Sequence, residues 1–364
     1  MFLRVFGVSL AVSAAALAAA WLYGGPTAFA LAAILGILEV SLSFDNAVVN
    51  AGVLRTLSPF WQRIFLTIGV LIAVFGMRLL FPLLLIWVTA GLNPREAFQL
   101  ALHPPPGDAS HFSDGAPSYR TLLNDAHPTI AAFGGAFLLM LFLRFFLAGP
   151  KRTWLTWLER PLAALGRVPM VAAAVAGLAV IVAAVWGAPD HKLGAVMIAG
   201  TLGMVTYITV DGLGSMFRPD QHSSGAAGLT GKAAFFTFLY LEVLDSSFSF
   251  DGVIGSFAIT SDPIVIALGL GLIGSMFVRS ITVYMVRKGT LSEYAYLEHG
   301  AYWAIGVLAV LLLVSIGVHV NEVLTGLAGV ALITAAFLSS VVRNRRTHNT
   351  ADLREARADD RVSA

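Results

Sequence analysis

Runs of about twenty apolar residues, the length at which a helix spans a bilayer, recur along this chain from Phe2 to Val342. No other feature restricts the fold as much. Of 364 residues, 57% are hydrophobic and 12% charged, about half the charged share of a soluble domain. A water-facing surface cannot be assembled from so few polar groups. The short alternating segments of a membrane β-barrel are not evident. The expected class is an all-α polytopic membrane protein. The chain has no cysteine, which excludes a disulfide framework and a thiolate metal site.

Ten spans are expected, at 2–23, 27–54, 60–91, 128–149, 168–187, 191–212, 232–260, 263–286, 296–318 and 321–342. The first also resembles a signal peptide, with Arg4 ahead of an Ala-rich run, but its apolar stretch is longer than a usual signal core. With the N-terminus inside, 17 of the 23 Lys and Arg residues fall on inner segments and three (Arg95, Arg120 and Lys192) on outer ones. The remaining three, Arg78, Arg144 and Arg279, lie within spans. Excess Lys and Arg mark cytoplasmic loops, so both termini are expected in the cytoplasm. Residues 92–127 form a long outer loop, and 150–167, basic and Trp-bearing, read as an amphipathic helix on the inner surface. The tail 343–364 lacks apolar residues for a core and reads as disordered.

Two polar stretches interrupt the apolar pattern. Glu39-Val-Ser-Leu-Ser43-Phe-Asp45-Asn46 aligns with Asp245-Ser-Ser-Phe-Ser249-Phe-Asp251-Gly252. Arg78 follows the first in the next span and Arg279 the second, and Gly135-Ala-Phe matches Gly300-Ala-Tyr one span later. The chain therefore reads as two five-span halves. The first comprises 1–167, through span 4 and its linker, with span 5 at 168–187; the second is 191–342. Five is odd, so the second half enters from the opposite side. Such inverted repeats place substrate near the midplane at the repeat interface.

Five acids lie within spans 2 and 7: Glu39, Asp45, Glu242, Asp245 and Asp251. Each unpaired Asp at mid-membrane costs about 2.5–3.5 kcal/mol on the insertion scale, so these groups must be protonated, paired or neutralised by a cation. Set against Arg78, Arg144 and Arg279, five negative charges and three positive leave two negative, the charge of one divalent cation. Glu242 and Asp245 share a helix face, but Glu39 and Asp45 stand about 120° apart on an ideal helix. Helices unwound around Ser43–Asn46 and Ser249–Gly252 would aim all the acids inward. The donors are oxygens throughout, the chemistry of Mg²⁺, Ca²⁺ or Mn²⁺, and protons can use the same carboxylates. A purely structural reading pairs the acids with Arg78 and Arg279.

Weaker features remain. Glu298-His299 suits a proton relay or gate equally with an interfacial pair. The outer-loop groups His103, Asp108, His111, Asp114, Asp125 and His127 read as solvated. Asp211-Gly212 reads as a span boundary, and the glycines of Gly269–Ser275 as close-packing residues.

The motifs "EVSLSFDNAVVNAGVL", "GMRLLFP", "EVLDSSFSFDGVIGSFAIT", "FVRSITVY" and "YLEHGA" resemble the TerC-like integral membrane proteins, and among them the branch called domain of unknown function 475. The resemblance covers roughly residues 30–340. It implies a first acidic motif at Glu39, Asp45 and Asn46 and a second at Glu242, Asp245 and Asp251. TerC relatives, named from tellurite-resistance loci, are linked to manganese efflux and loading of exported metalloproteins. Where relatives continue Ser-Ile-Pro-Ala after the last Asp, this chain has Gly252-Val-Ile-Gly.

The expectation is a secondary transporter, not an enzyme, exporting a divalent cation across the bacterial cytoplasmic membrane. Mn²⁺ leads, with Ca²⁺ and Mg²⁺ behind, in exchange for protons. Asp45 and Asp251 are the expected central ligands, flanked by Glu39, Asn46, Glu242, Asp245, Ser43 and Ser249, with Arg78 and Arg279 balancing charge. The partners are lipid and metal ions; no nucleic-acid partner is expected. No G-x-x-x-x-G-K-[ST] nucleotide motif is present. The rival readings are a non-transporting partner in metal sensing or metalloprotein assembly, and an intramembrane di-aspartyl protease, which would carry the Gly-x-Gly-Asp stretch that neither Asp45 nor Asp251 has.

Overall fold

The computed structural model describes residues 2–80, 93–103, 105, 110–150, 152–216, 228–256, 259–260, 262–320 and 327–345. Among them regular structure is helical, apart from isolated bridges at Leu57–Leu229 and His111–Pro117. The principal helices are α1 (Phe2–Leu42), α2 (Phe44–Leu54), α3 (Pro59–Leu71), α4 (Pro94–Leu102), α5 (Tyr119–Leu147), α6 (Thr156–Leu165), α7 (Val171–Gly187), α8 (Leu193–Met216) and α9 (Gly231–Ser256). They continue with α10 (Pro263–Lys288), α11 (Leu297–Val314) and α12 (Leu327–Arg345). Among the described residues, seven helical stretches are long and apolar enough to cross a membrane. Large apolar side chains such as Leu22, Trp186 and Ile198 stand exposed on the outside of the bundle. The chain is an all-α, multi-pass membrane protein, and lipid is the solvent these side chains require.

Most of each expected span falls on helix wherever the chain is described, with turns at 168–170 and 315–317. The tail 346–364, the start of the last expected span at 321–326 and the end of the third at 81–91 lie outside the described residues. The first expected span and the start of the second are two helices within α1, joined at Gly24 and Gly25, where the backbone leaves helical geometry and Gly25 takes φ 65° ahead of Pro26. Only glycine adopts that conformation without strain. The fourth span starts earlier than expected, because Ser118 caps α5 by accepting from the Thr121 amide, and Pro128 lies inside the helix. The supposed loop 92–127 accordingly carries α4 and the first turns of α5.

One expected irregularity is corrected. The backbone runs as unbroken helix through Ser249–Gly252 within α9. Near Ser43 the break is a single residue, and the bonds Ser43 N–Glu39 O (2.9 Å) and Ala47 N–Ser43 O (3.1 Å) bridge it. Real distortion sits one span later in each half: Ile72–Leu80, continuing α3, and Ala267–Gly274, within α10, are π-helical. Close packing accounts for the second. A Cβ on Gly269 would lie 2.6 Å from the Ala32 carbonyl oxygen, and one on Gly274 2.2 Å from Glu39 Cγ. Glycine at both places lets the backbone of α10 lie against the second half of α1.

The packing is reciprocal. α2 contacts α11 while α9 contacts α5; the end of α1 packs on the π segment of α10, and α9 packs on the π segment that follows α3. α2 also meets α9, and α5 meets α11. The ends of α2, α5 and α8 converge with the beginnings of α9 and α11 around one cavity, so α2 runs antiparallel to α9, and α5 to α11. The aligned glycines do not share this symmetry. Gly135 lies against Leu313 of α11, whereas Gly300 lies against Ala336 of α12.

Candidate functional site

A buried polar network ties the two acidic helices together. Arg279 on α10 is 2% exposed and has its guanidinium 4.1 Å above the Phe65 ring. Its Nη1 donates to the Phe65 carbonyl (2.8 Å) and to Glu242 Oε1 (3.3 Å). Its Nη2 donates to Glu242 Oε2 (3.2 Å) and to Asp245 Oδ2 (3.2 Å). The i, i+3 spacing on α9 thus presents both carboxylates to one cation. The other oxygen of Asp245 accepts from Asn46 Nδ2 at 2.8 Å, and Asn46 Oδ1 in turn accepts from Asn50 Nδ2 at 2.8 Å. The run Asn50–Asn46–Asp245–Arg279–Glu242 therefore crosses from α2 through α9 to α10.

Glu39 is also buried and accepts from the Ser43 hydroxyl at 3.0 Å. Each half supplies a glycine where an acid of the other half arrives. Gly69 on α3 lies beside Glu242 and Arg279, and Gly274 on α10 lies beside Glu39. A side chain at either place would displace the carboxylate. Two buried polar atoms in this region, Arg279 Nε and Asn50 Oδ1, have no hydrogen-bond partner among the described residues. Unsatisfied groups of this kind carry a desolvation cost of about 1–3 kcal/mol each.

Of the residues singled out in the sequence, the structure brings together Asn46, Glu242, Asp245 and Arg279, with Glu39 and Ser43 as a neighbouring pair. The side chains of Asp45, Arg78, Ser249 and Asp251 lie outside the described residues. Among the described residues no group of three or more His, Asp or Glu side chains is gathered closely enough to hold a metal ion. The donors around Asp245 and Glu242 are occupied by Arg279 and Asn46 instead.

Glu298 and His299 part company. Glu298 makes a half-exposed pair with Arg55 at the end of α2 (3.4 Å). His299 turns inward, and its Nδ1 lies 3.2 Å from Glu159 Oε1. Glu159, which the sequence reading passed over, is 0% exposed. It accepts from the Trp154 and Leu155 amides at 3.0 and 3.2 Å and from the Trp303 indole at 3.2 Å. One carboxylate thus caps α6 and ties it to α11, while Trp157 stays 74% exposed on the outer side of that short helix. Its signal was an acid in the first turn of an amphipathic segment, where a carboxylate favours the helix N-terminus. Asp211, read as a boundary, pairs with Arg144 at 3.2 Å.

The profile of a family described as a protein of unknown function, DUF475, matches residues 44–347, which is most of the chain and all of the α9 motif. The chain belongs to the DUF475 family. The match takes in Asn46 and Asn50 of this DUF475 protein and leaves Glu39 and Ser43 just outside. No curated protein and no solved structure matches the chain.

Proposed function

We propose that this protein is a secondary transporter that moves a divalent metal cation, Mn²⁺ before Ca²⁺ or Mg²⁺, across the bacterial cytoplasmic membrane. The observation that carries this reading is the buried network in which α2 and α9 meet across Asn46 and Asp245 with Arg279 as the internal counter-ion. Ionisable groups within spans are costly and mark ion pathways. A structure needing only a stable bundle would do as well with apolar side chains of similar volume. The oxygen-only donor set suits a hard cation, and the motif resemblance to TerC-like proteins points to manganese. The reciprocal packing and the paired π segments support an inverted repeat with its site at the interface.

In this arrangement Arg279 occupies the place of a cargo charge. Arrival of a divalent ion at Asp45, Asp251 and Asp245 would draw Asp245 away from Arg279, while Glu242 keeps the guanidinium paired. Departure of the ion would return Arg279 to both acids. Protonation of a carboxylate would serve the same end and couple export to protons. The bidentate hold of Arg279 on Glu242 favours a second reading for that residue alone, as a structural partner of Arg279 and not a ligand.

The test is uptake of Mn²⁺, Ca²⁺, Mg²⁺ and Zn²⁺ into inside-out vesicles. Saturable, Mn²⁺-preferring uptake that disappears in Asp245→Asn is the expected result. No uptake of any of these ions by the reconstituted wild type would sink the reading and leave a non-transporting membrane partner.

A further inference from the structure

A cavity of about 370 Å³ opens between the ends of α2, α5 and α8 and the beginnings of α9 and α11. Its wall carries Thr237 and Tyr240 of α9, Val53 of α2, Tyr207, and the Arg144–Asp211 pair. A space of this size holds a small hydrated solute. It lies at the end of α2, where Arg55 follows the helix and pairs with Glu298, the end that the positive-inside bias assigns to the cytoplasm.

Two features distinguish this cavity from a packing gap. Two of the three helices that carry the buried network, α2 and α9, also form its wall. At about 1.5 Å per residue, Tyr240 precedes Asp245 by roughly 7.5 Å along α9, and Val53 follows Asn46 by roughly 10 Å along α2. The cavity also contains an intramembrane ion pair whose members differ in exposure. The Arg144 side chain is 63% exposed and the Asp211 side chain 26%. Arg144 has a long stem and an open path outward, so it can withdraw its charge toward the headgroups. Asp211, on a shorter stem, stays at the cavity wall.

Resting on the transport reading, we propose that this cavity is the cytoplasmic vestibule for a hydrated divalent cation, with Asp211 as its receiving carboxylate and Arg144 as a displaceable counter-ion. With the pair closed, the vestibule is electrically neutral and repels neither ion sign. An arriving cation competes with Arg144 for Asp211, and the released Arg144 moves to the headgroup layer. The mouth then carries one carboxylate, which concentrates cations above the deeper acids.

The natural absence of cysteine makes this directly testable. Thr237→Cys places one thiol on the cavity wall, and Trp157→Cys, on the exposed side of α6, serves as the control for reagent at the same face. Vesicles of each orientation are treated with cationic and with anionic membrane-impermeant methanethiosulfonates. The expected result is labelling of Thr237→Cys from the basic face, faster with the cationic reagent by about tenfold and slowed by Mn²⁺. That preference should disappear when Asp211→Asn is added. Val53→Cys on the facing wall gives the same reading if Thr237→Cys does not fold.

Labelling of Trp157→Cys with none at either wall position overturns the vestibule. So does labelling with no preference for charge and no effect of Mn²⁺. Metal flux in the same vesicles separates the two proposals. Flux with unlabelled walls rejects the vestibule and keeps the transporter. Cation-selective, Mn²⁺-sensitive labelling without flux keeps a cation-binding vestibule and rejects transport.

Discussion

Replacing Arg279 with Gln gives opposite results for a metal site and for a purely structural ion pair. Arg279 makes four hydrogen bonds, three of them to Glu242 and Asp245, and all three residues are at most 5% exposed. Removing the cation from such a cluster typically costs about 3–5 kcal/mol, because the remaining charges stay buried without a partner. Two buried carboxylates would then share a site without this guanidinium. If the region binds a divalent ion, that ion supplies what Arg279 supplied. At a hundredfold excess over Kd, binding returns about 2.7 kcal/mol, more than half of the loss even at its upper bound. The assay is thermal melting in lipid nanodiscs, with and without Mn²⁺, for wild type and Arg279→Gln. The metal-free variant should melt well below wild type, and Mn²⁺ should raise the variant's melting temperature more than the wild type's. An equal or smaller metal response in the variant would refute a cation site at Glu242 and Asp245. An unchanged metal-free melting temperature would refute the structural importance of the bridge.

Other expected outcomes follow from the same contacts. Asp45→Asn should abolish the Mn²⁺-dependent rise in melting temperature while leaving the metal-free value near wild type; a large metal-free loss would instead mark Asp45 as one side of a buried pair. Gly69→Ala places a Cβ 2.4 Å from Arg279 Nη1 and 2.6 Å from Glu242 Oε1. Because four bonds hold that guanidinium, the variant should lose about 1–3 kcal/mol, the usual cost of overpacking, and unchanged denaturant stability would show that the bridge yields freely. Glu159→Ala removes the acceptor shared by two amides, an indole and an imidazole, at about 1–3 kcal/mol per stranded donor. Limited proteolysis should then cut within 150–167 faster than in wild type, and equal rates would show that α6 is held by other contacts.

The membrane class and its long apolar helices were legible in the sequence because each depends on local or periodic quantities. The apolar length of a span and the placement of Lys and Arg need no knowledge of what packs against what. The i, i+3 relation of Glu242 and Asp245 likewise follows from helix geometry alone, and the structure puts both on Arg279. Irregular backbone was expected where Ser, Asp, Asn and Gly cluster, and that expectation failed in α9. Residues with weak helix propensity stay helical when tertiary contacts occupy their polar groups, as Asn46 and Asp245 occupy each other's. The π segment within α10 lies instead where that helix approaches α1 closely, and the need for close approach is a property of two chains of atoms at once.

Tertiary structure alone decided the partners. In sequence, Glu159 is one acid in a basic surface segment, and its burial against His299 and Trp303 depends on where α6 meets α11. Asp211 looked like the end of a span until the fold set it against Arg144, 67 positions away. Arg279 was expected to neutralise acids, but not which ones, since Glu242 stands 37 residues before it and Asp245 34. Hydrophobic transfer fixes which segments enter the bilayer, one segment at a time. The buried charges are satisfied only between segments, so their pairing emerges when the helices are packed together.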